Sequence, residues 1–186
     1  MKQVTLITTN RSKAEEIADA LKPYGVLLNH ESVQYAEDKE AHMEEVCMTA
    51  ARELSASLRK NVMVDDTGIF FEACNNFPGA LPKFVVRGIG LEGILRLLAG
   101  QPRGAYFETV IGYCEPGGEP RCFSAQMRGM ITESIFEPID HAMSYDSIFI
   151  PDGFEKPVCQ MTLEEKTTIS QRAQAVRKLG EFLKTA

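Results

Sequence analysis

The stretch VMVDDTGIFF, residues 62–71, decides how this chain is read. A short apolar run, Val62 to Val64, meets two adjacent carboxylates, Asp65 and Asp66, and Thr67-Gly68 then turns the chain into a second apolar run. Like charges side by side are unfavourable unless a cation offsets them. In an open α/β sheet the C-terminal end of a strand is the usual place for ligand chemistry. Mg²⁺ takes oxygen ligands, commonly one or two carboxylates plus substrate phosphates, so the pair is a candidate metal site. A solvated acidic turn is the ordinary alternative.

Working outward, Gln3 to Thr8 reads as a buried strand, and SKAEEIADALKPYG (12–25) as a helix with Ala14, Ile17, Ala18 and Leu21 on one face, stopped by Pro23 and Gly25. Residues 31–42 are polar and acidic, and Val46, Ala50, Leu54 and Leu58 mark a second helix ending near Asn61. Beyond the acids, Phe84 to Val86 reads as extended, Leu91 to Leu98 as a helix closed by Gly100, and Tyr106 to Cys114 as a strand running into the turn EPGGEP. Phe123 to Met130 pairs with it as a hairpin, and Ser147 to Ile150 is extended. TLEE (162–165) is a capping box, and Ile169, Ala173, Val176, Leu179 and Leu183 form the stripe of the last helix. Helices alternate with strands before a hairpin, which predicts one α/β domain over residues 1–186, with a mixed sheet in two lobes.

Composition narrows the function. With 186 residues, 44% hydrophobic and 25% charged, the chain can bury a real core. Its net charge of −6 argues against a broad nucleic-acid-binding face, so any phosphate site must be made by local cations. Five cysteines without a CxxC pair suit reduced thiols. The three histidines make no HExxH spacing, and no GxSxG elbow presents a serine, which removes zinc and serine hydrolase readings. MKQVTLITTN is too short in its apolar part for a signal peptide, and no run approaches the ~18 residues that span a bilayer. A cytoplasmic protein without membrane or nucleic-acid partners is expected.

Four further stretches carry chemistry. TTNRSKAEE (8–16) lies where the first strand meets the first helix, where exposed backbone N–H groups attract anions; Thr8, Thr9 and Asn10 add donors and Lys13 a full charge. A plain N-cap turn with a solvated lysine is its alternative. GIGLEG (88–93) matches the dinucleotide fingerprint in letters, but the acid 20 residues beyond Gly88, Glu108, falls inside the next expected strand, so an oxidoreductase is disfavoured. In SYDS (144–147), Tyr145 offers a flat ring for a base and Asp146 an acceptor, unless both merely pack. In EEKTTISQR (164–172), Lys166 and Arg172 stand about 240° apart on an ideal helix, so they flank one ligand only if the segment is broken.

The order TTNRSKAEE, VDDTG with FPGALPKF, YDSIFIPDG and EEKTTISQR resembles the Ham1/ITPase family of inosine and xanthosine triphosphate pyrophosphatases, over essentially the whole chain. The resemblance implies an ITPase-like fold, an elongated mixed sheet with a cleft between two lobes, usually as a homodimer. It implies Mg²⁺-dependent hydrolysis of a nucleoside triphosphate to monophosphate and pyrophosphate, with Mn²⁺ as a substitute ion. Thr8, Asn10 and Lys13 match the phosphate motif, with Thr9 between them. Asp66 matches the metal-binding acid and general base, with Asp65 beside it, Thr67 near the nucleotide and Glu37 as the second metal ligand. Tyr145 and Asp146 match the base-holding pair, and Lys166, Gln171 and Arg172 the last motif. A nucleotide-binding protein with weak turnover is the competing class.

Departures are specific. Thr9 stands where the family has glycine, Ala50 where it has a lysine on the second helix, Met143-Ser144 where it has Phe-Gly, and Gln171 where it has histidine. Histidine and arginine there donate to the purine 6-keto oxygen, whereas a glutamine amide donates or accepts. Relaxed or altered base preference is the expectation.

Overall fold

The computed structural model describes residues 2–35, 41–138 and 144–185, and of Ser144 only the backbone. The chain forms two compact units, Met1–Thr67 with Thr109–Ala125 and Ser170–Ala186, and Gly68–Glu108 with Gln126–Ile169. In the first, β1 (Gln3–Ile7) is followed by α1 (Arg11–Leu21), β2 (Leu27–Glu31) and α2 (Met43–Leu58). β1 runs parallel to β2, from Gln3↔Leu27 to Ile7↔Glu31, and parallel to the start of β3 (Val62–Phe71), from Thr5↔Val62 to Ile7↔Val64. Val4 to Ile7 are all buried, as expected of a parallel strand covered on both faces. α5 (Gln171–Thr185) supplies Ala173, Val176, Leu179 and Leu183 to a core shared with Leu6, Ile17, Leu21 and Met63.

The second unit holds β4 (Phe77–Gly79), α3 (Pro82–Leu97), β7 (Phe149–Pro151) and α4 (Leu163–Ile169), around Phe71, Val85, Ile94, Phe107, Ile148 and Phe149. The boundary between units falls within β3, β5 (Gly104–Cys114) and β6 (Arg121–Ile131). Among the described residues the mixed sheet has seven strands, in the order β2-β1-β3-β5-β6-β7, with β4 antiparallel to β3. Among the described residues no helix is long and apolar enough to cross a membrane.

Several elements differ from expectation. β3 does not turn at Thr67-Gly68; it continues to Phe71 by exchanging partners, β1 against Val62–Val64 and β4 against Ile69–Phe71. Gly68 serves a close approach, since a Cβ there would stand 2.6 Å from the Gly79 carbonyl oxygen. Phe84 to Val86 is helical, because Pro82 occupies the first turn, where its fixed φ suits a helix, and Val85 then faces the core. GIGLEG consequently lies inside α3, where Gly90 (φ 66°) kinks the helix, and not in a strand-to-helix turn. Ser144–Ile148 is a 3-10 turn, and the strand begins only at Phe149.

The last helix is two helices. The capping box opens α4, with the Thr162 N–H donating to Glu165 Oε2 at 2.8 Å and the Glu165 N–H to Thr162 Oγ1 at 3.2 Å. Ser170 restarts the chain as α5 by accepting the Ala173 N–H through its hydroxyl at 3.3 Å. Ile169 therefore packs with the second core and the rest of the stripe with the first.

Gly112 of β5 passes under α2, where a Cβ would meet the Cys47 carbonyl oxygen at 2.2 Å and its carbon at 2.6 Å. Because backbone has to move, Gly112→Ala is expected to destabilise the fold by about 1–3 kcal/mol, read as a lowered midpoint in urea denaturation.

Candidate active site

The acids sit one step beyond the end of the β1–β3 ladder, level with the segment leaving β1. Successive side chains of a strand point to opposite faces, so Asp65 and Asp66 diverge. Asp65 follows Met63 onto the face covered by α1 and α5, where its side chain is fully buried. There its Oδ2 meets Lys13 Nζ of α1 at 2.8 Å and Arg172 Nε of α5 at 3.3 Å. Its Oδ1 is buried with no hydrogen-bond partner among the described residues. Burial alone would raise the Asp65 carboxyl, but the Lys13 ammonium and the Arg172 guanidinium outweigh it and hold it below the usual carboxylate range.

Arg172 is itself buried and places three hydrogen bonds within the first unit: Nη1 on Glu16 Oε2, Nη2 on Thr67 Oγ1 at 3.3 Å, and Nε on Asp65. Burial works against its charge, while Asp65 and Glu16 more than compensate, so its affinity for the proton rises. Thr67 Oγ1 also pairs with Thr109 Oγ1 at 2.8 Å. Glu16 carries no signal of its own in the sequence beyond standing one turn after Lys13, and Thr109 only that of a hydroxyl inside an apolar strand.

Asp66, half-buried, lies on the other face, where α2 packs. Its Oδ1 accepts the Thr67 N–H at 2.8 Å. The Cys47 thiol of α2 is raised by burial, then by Asp66 and Asp65. A carboxylate has about four lone-pair sites, and its oxygens are the hard donors a divalent cation takes. Among the described residues no three acids, histidines or cysteines gather as a metal cage. Mg²⁺ needs no such cage: one or two carboxylates with phosphates and water satisfy it, so the donor chemistry fits. Glu37, the expected second ligand, lies outside the described residues.

The turn from β1 to α1 follows the anion-binding pattern. Asn10 caps α1 by accepting the Lys13 N–H at 3.2 Å, and Thr8 Oγ1 accepts the Asn10 N–H at 3.2 Å. Thr9 is exposed, and the non-glycine residues with positive φ among those described are Arg59, Asn75 and Asn76, so Thr9 does not take the left-handed conformation open to glycine. Ala50 is buried in α2, and Arg52 pairs with Glu119 at 3.3 Å.

The remaining candidates belong to the second unit, except Gln171, which is buried at the start of α5. Tyr145 is 6% exposed; its ring packs edge-on to Phe107 and tilted to Phe71, each at 6.4 Å, and its hydroxyl donates to the Pro82 carbonyl at 3.0 Å. Asp146 pairs with Lys166 of α4 at 2.6 Å. Met143 lies outside the described residues.

The model of the Ham1 family matches residues 4–182. A protein of Methanopyrus kandleri named dITP/XTP pyrophosphatase is 39% identical over 98% of this chain and 96% of its own length. A protein of the same name from Pyrococcus horikoshii is 36% identical over 98% of this chain and 97% of its own. Among solved structures, a HAM1 protein from Coxiella burnetii superposes with a TM-score of 0.85 at 23% identity, each chain covered in full, and the Ham1 protein of Staphylococcus aureus with 0.80 at 23%, each covered to 99%. These two show the shared fold.

Since the Asp65 carboxyl is held low in the folded state, its stabilisation is complete above the unfolded value of about 4 and fades as pH falls through the folded value below that. Asp65→Asn takes the carboxylate from Lys13 and leaves the buried Arg172 with Glu16 as its remaining acid, and is expected to cost about 3–5 kcal/mol at neutral pH. Denaturation from pH 7 to 2 checks this: the gap between wild type and variant narrows only below about pH 4.

Proposed function

Because the chain belongs to the Ham1 family, we propose that it is a nucleoside triphosphate pyrophosphatase acting on non-canonical purine nucleotides such as dITP, ITP and XTP, with residues 1–186 working as one functional domain. Water adds across the α–β anhydride, giving the monophosphate and pyrophosphate. The observation that carries this reading is the capped turn Thr8–Asn10 with Lys13 one turn along, beside a strand bearing Asp65 and Asp66.

Backbone N–H groups of the turn and the Lys13 ammonium bind the polyphosphate. Lys13 keeps donors for phosphate while paired with Asp65, since an ammonium carries three. The Asp65–Arg172–Glu16 network holds Lys13 in place. Asp66, with Glu37 as its partner, would hold Mg²⁺, or Mn²⁺ in its stead. The ion when bound supplies neutralisation of phosphate charge. Asp66 also receives the proton of the attacking water. Phosphoryl transfer needs positioning and charge compensation more than a covalent nucleophile, which suits a set of acids and lysines. Thr67 contacts the nucleotide, and Tyr145, Asp146, Lys166, Gln171 and Arg172 are assigned to the base end by the family resemblance. Tyr145 would act there as a packed strut.

The chain works in a reducing, cytoplasmic setting, which its five unpaired cysteines suit. Two copies form a homodimer, for which the exposed Phe84 and Ile89 offer apolar surface.

Asp66→Asn is expected to reduce pyrophosphate release from dITP at least ~100-fold with little change in melting temperature; near-normal turnover in the variant would remove Asp66 from the chemistry. Loss of wild-type release in EDTA and its return with Mg²⁺ tests the metal.

Assayed side by side on ITP, XTP, dITP, GTP and ATP, the wild type is expected to discriminate weakly against 6-amino bases. Gln171→His is expected to sharpen the ITP-to-ATP ratio of kcat/KM by on the order of tenfold.

A further inference from the structure

We propose that His30 is a positioning residue for the polyphosphate turn, setting the direction in which the Thr9 N–H points; this rests on the reading of Thr8–Lys13 as the phosphate site. His30 lies on the edge strand β2, and its Nε2 stands 2.7 Å from the Thr8 carbonyl oxygen. A carbonyl only accepts, so Nε2 carries the hydrogen and donates. One residue further along β2, the Glu31 carbonyl accepts the Thr8 N–H at 3.2 Å, and the Glu31 side chain is tied to Lys60 at 2.5 Å, which anchors that end of the strand. Both backbone groups of Thr8 are therefore held from β2.

The consequence is geometric. In a trans peptide the carbonyl oxygen and the following N–H point in opposite directions. With the Thr8 oxygen drawn to His30, the Thr9 N–H is turned away from β2, and it has no hydrogen-bond partner among the described residues. An unpaired N–H at the mouth of a capped helix is a donor for an anionic oxygen. A glycine at position 9 could reach such an orientation through many backbone conformations, whereas Thr9, outside the left-handed region, has fewer and depends on an external hold. His30 supplies it.

The test compares His30→Ala with His30→Gln. The Gln Nε2 lies the same number of bonds from Cα as the His Nε2 and can donate to the same carbonyl. Two quantities are read: the KM for dITP with Mg²⁺, and the inhibition constant of inorganic tripolyphosphate, which has no base or sugar. In His30→Ala both are expected to rise about fivefold, with kcat within about twofold, the signature of lost uniform binding. His30→Gln returns both to near wild type. Unchanged tripolyphosphate inhibition in His30→Ala overturns the assignment, as does equal impairment of the two variants. A wild type that releases no pyrophosphate overturns the activity itself, whereas an active wild type with an indifferent His30→Ala overturns only the role of His30.

Discussion

The first unit is organised around a charge that water cannot reach. The fully buried Asp65 carboxylate is met by Lys13 from α1 and by Arg172 from α5, and Arg172 is met in turn by Glu16. An isolated ion in that position would be prohibitively unfavourable, so each partner is obligatory once the others are present. The network fixes α1 and α5 against β3 and thereby sets where the Thr8–Asn10 turn begins. Stability and site geometry are thus two consequences of the same ion pairs.

The period-two alternation of a strand resolves the problem of two adjacent carboxylates. Asp65 is turned into the ion network and Asp66 toward the face of α2, so the two carboxylates enter different surroundings. The sequence alone suggests that both acids share one cation. The cations Asp65 meets come instead from the first and last helices, and nothing local in VMVDDTGIFF signals a partner 107 residues away. Arg172 shows the same limit: its motif points to the nucleotide, while its guanidinium is anchored on Asp65, Glu16 and Thr67.

What was legible follows from how local the determining physics is. α1, α2, β1, β5, β6 and the two-point cap of α4 are visible because apolar period and capping residues sit within a few positions of each other. β2 was not, because an edge strand ending in Asn29, His30 and Glu31 has little apolar face to show. β4 and the continuation of β3 depend on pairing between segments, and Gly68 reads as a turn until its contact with Gly79 is known. The β-branched pair at Val85 and Val86 suggests a strand, but Pro82 and core burial make it helix. Tyr145 has the look of a stacking platform in sequence, and its surroundings, Phe71, Phe107 and the Pro82 carbonyl, come from elsewhere in the chain.

The separation of the two acids is the claim on which the rest turns. Carboxyl ¹³C NMR of the aspartates, followed first by pH and then by Mg²⁺ with a non-hydrolysable dITP analogue, tests it most directly. The Asp65 resonance is expected to titrate below the ordinary aspartate range, and the metal with the analogue to move Asp66 far more than Asp65. Titration of Asp65 at or above the ordinary value, or an Asp66 signal indifferent to metal and nucleotide, would contradict it.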